Sequence, residues 1–119
     1  MAGCNRSKLE LYQNAIVKSR IDINTYNRLL VIPSEGCSGC ISSATAFVIN
    51  DLKYEDSTLV VYTDIKDLKF FKLNVGSVLE DYNFVILDLD NTFSTPSIKS
   101  IYPQFWKISD GFVVSVYSF

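Results

Sequence analysis

LLVIPSEGCSGC, residues 29–40, is the most informative part of this chain. It opens on four apolar residues typical of a strand. Two cysteines three residues apart follow, and beyond them apolar side chains recur at helical spacing, at Ile41, Ala44, Phe47, Val48 and Leu52. The stretch therefore predicts a strand that delivers a Cys-x-x-Cys pair to the N-terminus of a helix.

The position of Cys37 at a helix start gives the pair a chemical bias. The first N–H groups of a helix have no intrahelical partner and the helix dipole is positive there, so both favour the Cys37 thiolate. A lower pKa raises the fraction of thiolate at neutral pH, and the thiolate is the nucleophile of thiol–disulfide exchange. Cys40, one turn further on, is placed to attack a mixed disulfide and release the partner. The pattern favours a redox-active pair.

Two other interpretations of the pair are open from the residues alone. A structural zinc site needs four ligands, usually Cys or His. The chain has no His, and its only other cysteine is Cys4, so zinc would also require a carboxylate, and we predict no metal site. The second alternative is a purely structural disulfide or an inert thiol pair. The strand–CxxC–helix context favours redox chemistry over both.

Composition sets bounds on the class of protein. At 119 residues, 48% of them apolar, the chain is long enough for one domain with its own core. A net charge of −2 and the lack of a basic cluster give no reason to expect a nucleic-acid partner. No apolar run approaches the length of a membrane span. We expect a single domain with no nucleic acid, no membrane span and no cofactor.

The N-terminus suggests a lipid anchor. Met1-Ala2-Gly3-Cys4 looks like the end of a bacterial lipoprotein signal, in which small residues precede a cysteine that becomes lipidated. On this interpretation Cys4 is the anchor, residues 1–7 are a tether, and the domain lies on the periplasmic side of the cell envelope. It also accounts for three cysteines, one for lipid and two for chemistry. The alternative is a frayed cytoplasmic N-terminus with a free thiol.

Apolar periodicity predicts an alternation of helices and strands. The expected elements are helix 8–20, strand 28–32, helix 37–52, strand 58–63, a helix opening at Asp64, a short helix at 75–81 and a strand at 83–89 buried on both faces. Asp110-Gly111 lies between two β-rich segments, 105–108 and 112–117, and predicts a terminal hairpin. The order α, β, α, β, α, β, β, β implies a mixed sheet with helices on both faces.

This order, with a CxxC pair after the first strand and a proline just before a terminal hairpin, resembles the thioredoxin-fold superfamily, in particular its TlpA-type (redoxin-like) thiol–disulfide oxidoreductases. The resemblance covers residues 26–119. Residues 102–111 are similar to that family's cis-proline, strand and acidic-Gly turn, and residues 83–88 to the strand before the cis-proline loop. The resemblance implies that Cys37 is the attacking cysteine, Cys40 the resolving cysteine and Pro103 a cis-proline facing them.

A cis-proline would place backbone carbonyl and N–H groups beside the disulfide, where a substrate chain can pair, so Tyr102, Pro103 and Gly36 are the predicted substrate-binding residues. The predicted fold is an α/β, thioredoxin-like mixed sheet that ends in a β-hairpin and lacks the usual C-terminal helix. The domain spans 8–119, with 8–25 as an N-terminal helical extension. Helix 8–20 is expected to cover the sheet face left bare.

Two other enzyme families share short patterns with this chain. Asp88-Leu89-Asp90-Asn91-Thr92 resembles the D-x-D-x-T motif of haloacid-dehalogenase-type phosphatases, but the remainder of the chain has no room for the later strands of that fold. Ser34, three residues before Cys37, resembles a peroxiredoxin pattern, but no arginine follows Arg28 to complete it. We favour neither family.

The sequence therefore predicts thiol–disulfide exchange with thiol- or disulfide-bearing proteins through Cys37 and Cys40. The alternative is a non-catalytic module of the same fold that holds a peptide or protein in the proline groove. A measured redox potential and an insulin-reduction assay distinguish the two.

Overall fold

The structure, a computed structural model, describes residues 2–52, 57–73 and 82–119, with side chains from Lys8 onward. Its elements are α1 (Ala2–Ser19), a 3₁₀ turn (Ile23–Thr25), β1 (Arg28–Pro33), α2 (Ser38–Asn50), β2 (Thr58–Thr63), α3 (Leu68–Phe71), β3 (Val85–Leu87), β4 (Gln104–Ser109) and β5 (Phe112–Ser118). Apart from the 3₁₀ turn, this is the predicted order. The short helix predicted at 75–81 lies outside the described residues.

The five strands form one mixed sheet in the order β3-β2-β1-β4-β5. The first three strands are parallel, with Leu30 opposite Val60 and Val60 opposite Val85. β4 runs antiparallel to β1, and β5 antiparallel to β4. Parallel neighbours need crossover connections, and α2 provides the one between β1 and β2. The predicted mixed α/β class is confirmed.

The sheet has helices on both faces, as predicted. On one, which we call the α1 face, alternate strand residues pack with α1 and with residues of the loop that follows β3; its members include Leu29, Val31, Leu59, Val61 and Trp106. On the other, the α2 face, the alternate set packs with α2 and α3; its members include Leu30, Ile32, Val60, Tyr62 and Phe105. Because both faces are covered, residues 29–33 and 58–63 are all buried, as expected for central strands.

The expectation for the third strand was wrong in one respect. The apolar run at 83–89 predicted a strand buried on both faces, but β3 spans only Val85–Leu87 and all three residues are half-buried. Within the described residues β3 pairs with β2 alone, so it is an edge strand. An edge strand lacks a neighbour on one side, and hydrophobic runs therefore overstate its burial.

Helix α3 also begins later than predicted. Asp64 was expected to cap it, but Asp64 has a φ of 56° and continues the chain after β2. Asp67 is the N-cap instead, and its Oδ1 accepts a hydrogen bond from Phe70 N at 3.0 Å. Both residues fit the pattern of an acid at a helix start, so sequence spacing alone did not distinguish them.

The prediction for the C-terminal end of the domain is confirmed, whereas the predicted start of the N-terminal helix is wrong. The terminal hairpin is confirmed: Asp110 and Gly111 both have positive φ, 53° and 82°, as a two-residue hairpin turn requires. At the N-terminus α1 begins at Ala2 rather than at residue 8. Residues 2–7 are thus helical in backbone terms, and their role as a tether stays a prediction.

Candidate active site

The two cysteines lie at the carboxyl edge of the parallel strands. β1 ends at Pro33, a short loop follows, and α2 begins at Ser38. Cys37 and Cys40 are joined by a disulfide, with their Cα atoms 5.2 Å apart. Both residues are half-buried, so neither is sealed in the core. Ligand sites of α/β folds occur at this edge, where strand ends and helix N-termini meet.

Cys37 is the N-cap of α2. Its backbone is extended (φ −71°, ψ 98°), and its Sγ accepts a hydrogen bond from Cys40 N at 3.3 Å. Its carbonyl accepts the first α-helical bond, from Ile41 N at 2.9 Å. The sulfur therefore occupies the position in which a Ser or Asp oxygen usually caps a helix. The predicted strand–CxxC–helix arrangement is present.

The loop before β4 contacts the cysteine loop through its backbone. Cys37 N donates to the Ile101 carbonyl oxygen at 3.0 Å. Gly36 has a φ of +136°, and a Cβ there would lie 2.5 Å from that same oxygen and 2.8 Å from Ile101 Cα. Only glycine has both the conformational freedom and the small size that this approach demands. Ile101 was not predicted as a site residue, since a backbone acceptor leaves no side-chain signal.

The expected cis-proline is not found: the described residues contain no cis peptide bond, and Tyr102–Pro103 is trans. The Ser100 hydroxyl accepts from Tyr102 N at 3.0 Å and donates to the Tyr102 carbonyl at 2.9 Å, so one side chain engages both hydrogen-bonding groups of the Tyr102 backbone. Trans is the intrinsically favoured isomer.

The three predicted substrate-binding residues differ in exposure. Gly36 is exposed and Tyr102 is half exposed, while the Pro103 ring is fully buried and its carbonyl accepts from Phe119 N at 3.0 Å. The structure thus brings Gly36 and the loop before β4 to Cys37. Pro103 is buried beneath that loop and anchors it through the hydrogen bond with Phe119. Substrate contact by these residues stays a prediction.

Asp88, the first acid of the D-x-D-x-T pattern, has a structural role, because other residues of the fold occupy its carboxylate. It is buried at the end of β3, and its carboxylate accepts hydrogen bonds from Thr63 Oγ1 (2.8 Å), Phe93 N (2.7 Å) and Thr92 N (3.1 Å). The carboxylate therefore orders the loop after β3. Asp90, the second acid, is exposed.

A groove with a volume of about 710 Å³ lies beside the disulfide on the α2 face. One wall is α2, the other is α3 with the loop after β2, and Ser34 and Glu35 close the end nearest the cysteines. The hydroxyl of Tyr62 lies against α2, 2.8 Å from Thr45 Oγ1. Burial raises the pKa of Tyr62 to about 12, against the opposing effect of the Thr45 hydrogen bond, so the phenol is neutral at physiological pH.

Sequence reasoning missed this groove. A signal was present, since Ser38, Ser42 and Thr45 recur at helical spacing on a helix whose apolar stripe was recognised. The apolar stripe of α2 gives no information on the space between α2 and α3, which is where the groove lies.

The remaining predictions concern location and metal binding. The Cys4 side chain lies outside what the structure describes. Among the described residues no helix is both long and apolar enough to cross a membrane. In the same residues no cluster of three His, Cys, Asp or Glu side chains has the arrangement of a metal site.

Comparison with protein-family models, with curated proteins and with solved structures finds no match for this chain, and we infer its function from the residues and their geometry.

Proposed function

We propose that this protein exchanges thiols and disulfides with protein partners through Cys37 and Cys40, on a thioredoxin-like scaffold. The observation that carries the proposal is the half-buried Cys37–Cys40 disulfide at the N-terminus of α2, beside the carboxyl edge of the parallel strands. The order of elements and the mixed sheet support the scaffold. The trans Tyr102–Pro103 bond does not, so the proposal rests on the cysteines and their setting.

The reaction balances within the pair and its partner. In the reducing direction the Cys37 thiolate attacks one sulfur of a partner disulfide, which breaks the partner's S–S bond and releases its second sulfur as a thiolate. The Cys40 thiolate then attacks Cys37 Sγ, forms the intramolecular disulfide and releases the partner as a dithiol. Two electrons pass from the cysteine pair to the partner, and the protons of the two thiols go with them. The reverse sequence oxidises a partner dithiol.

The assignment of Cys37 as the attacking residue follows from its place at the helix end. The N–H group of Cys40 points at Cys37 Sγ, and a hydrogen bond to a thiolate favours its charged form. Cys40 lies inside the first turn of α2, where its own N–H already serves Cys37. A partner sulfur bound to Cys37 lies within reach of Cys40, which is the geometry that resolution needs.

A matched pair of variants tests the proposal. In a Cys4→Ser background, reduced Cys40→Ser protein should trap mixed disulfides with disulfide-bonded insulin, and Cys37→Ser should trap far less. Non-reducing mass spectrometry measures both. The unaltered pair should also pass reversibly between disulfide and dithiol in dithiothreitol buffers. If the pair stays oxidised, or stays reduced, in every buffer, the proposed exchange is wrong and a non-catalytic binding module replaces it.

The proposed location depends on Cys4. Lipidation there would hold the domain at the periplasmic side of the cell envelope. The mass of the native protein, measured before and after lipid hydrolysis, tests this separately from the chemistry.

A further inference from the structure

The groove on the α2 face has features that the proposed exchange reaction does not use. It follows α2 along one side from Ser38 to Asn50, which corresponds to about 18 Å at 1.5 Å per residue. Ser38 and Ile41 belong to the first turn of α2, the turn that holds Cys40. One end of the groove therefore lies next to the turn that holds the disulfide, and the groove runs from there along α2.

The walls of the groove combine two kinds of surface. Apolar side chains line both of its sides, with Ile41 and Ile49 on α2 and Ile65, Phe70 and Phe71 opposite them. Phe70 is 65% exposed, so a large aromatic surface is offered to a ligand.

Polar groups lie in a row along α2, between the apolar positions. Ser38, Ser42 and Asn50 are exposed, and their hydroxyl and amide groups can donate and accept hydrogen bonds. The groove floor carries the neutral Tyr62–Thr45 pair. An acyl chain has no hydrogen-bonding groups that could pair with these hydroxyl and amide groups. A polypeptide backbone can form hydrogen bonds with them while its side chains pack against the apolar walls.

We propose that this groove binds the polypeptide segment next to the reacting cysteine of a partner, and that it selects segments with aromatic or branched apolar side chains. The inference rests on the proposed function and names its substrate class. At about 3.3 Å per residue, a segment of roughly five extended residues fills the length of the groove. Burial of its apolar side chains would hold the partner sulfur near Cys37 and so accelerate mixed-disulfide formation.

The experiment uses two synthetic peptides and a small reagent, each activated as a mixed disulfide with thionitrobenzoate. The first peptide carries Phe and Leu at alternate positions on either side of a central cysteine, and the second carries Gln in their place. The small reagent is activated mercaptoethanol. The reduced Cys4→Ser, Cys40→Ser protein supplies the Cys37 thiolate. Cys37 Sγ bonds to the peptide sulfur, the bond to thionitrobenzoate breaks, and the released thiolate is followed by its absorbance.

We expect the apolar peptide to react about tenfold faster than the Gln peptide, since burial of one large side chain is sufficient for that ratio. Ser42→Trp fills the groove and should bring the ratio close to one. Ser43→Trp is the matched control, because Ser43 is also exposed on α2 but does not line the groove, and the ratio should persist. Ile49→Gln removes apolar wall without filling space and should also lower the ratio. The small reagent should react equally with all variants.

Two results overturn the inference, and they are distinguishable. Equal rates for the two peptides, with normal reaction of the small reagent, would remove the groove as the binding site and leave the proposed exchange standing. Failure of Cys37 to react even with the small reagent would overturn the proposed function, and the substrate class with it.

Discussion

The two faces of the sheet are built from the same strands but are packed differently. On the α1 face, Trp106 is fully buried between Tyr12 at a ring-centroid distance of 4.8 Å and Phe93 at 5.4 Å, and the loop after β3 closes the layer. On the α2 face, α2 and α3 leave the groove between them, and Tyr62 keeps a hydroxyl–hydroxyl contact with Thr45.

The difference in packing has consequences for stability and for the place of the site. Close packing of aromatic rings on the α1 face excludes water, and it contributes most to the stability of the fold when no cavity is left. The α2 face gives up part of that packing, since a groove leaves wall atoms without neighbours. The disulfide lies at the edge of the second face. We infer that the α1 face serves packing, whereas the α2 face combines a buried cluster with the site at its edge.

Removal of Trp106 should have the largest effect on the α1 face. Trp106→Ala deletes a fully buried side chain and leaves a cavity, so we expect a loss of about 3–5 kcal/mol in the free energy of unfolding. Urea denaturation followed by far-UV circular dichroism measures it. Phe112→Ala is the control, because Phe112 is 63% exposed and its removal should cost less than about 0.5 kcal/mol. A loss below about 1 kcal/mol for Trp106→Ala would mean that the packing around Trp106 contributes little to stability.

Two glycines of the cysteine loop should respond in opposite directions. Gly36→Ala forces a Cβ against the Ile101 backbone at a φ of +136°, and we expect a loss of about 2–3 kcal/mol together with a weakened Cys37–Ile101 hydrogen bond. Gly39 lies within α2, and a Cβ added there would meet nothing within 4 Å, so Gly39→Ala should stabilise the protein by about 0.4–1 kcal/mol. Thermal unfolding of both variants measures the contrast, and destabilisation by both would show that the loop tolerates no added side chain.

The α2 face should lose stability in alkali through Tyr62. An ordinary tyrosine ionises near pH 10, whereas burial raises the pKa of Tyr62 to about 12. Between these values the unfolded chain loses the proton first, so stability is fully present below pH 10 and falls by about 2 kcal/mol as pH rises to 12. The measurement is urea denaturation across this range, compared with Tyr62→Phe, which cannot ionise. Parallel pH profiles for the two proteins would show that the hydroxyl is not held in its neutral form.

Much of the architecture could be predicted because it depends on local patterns. The strand 58–63, the Asp110-Gly111 turn and the helix after Cys37 follow from runs, spacing and turn residues that lie next to one another in the chain. The failures have non-local causes. Among the described residues β3 has a neighbour strand on one side only, which the apolar run at 83–89 could not show. The isomer of Tyr102–Pro103 is trans, and the residues around it do not encode that choice. A resemblance predicted a cis bond there, and the structure has the intrinsically favoured trans isomer.

The chemistry available at the site follows from the residues alone: two cysteines at helical spacing after a strand, in a chain without histidine. Cysteine spacing and helix start are local, so a Cys37–Cys40 pair at the N-terminus of a helix was predictable from the sequence. The surroundings of the two cysteines depend on long-range packing. The approach of Ile101 to Gly36, and the groove between α2 and α3, join residues far apart in the chain, and no local pattern fixes the distance between such elements.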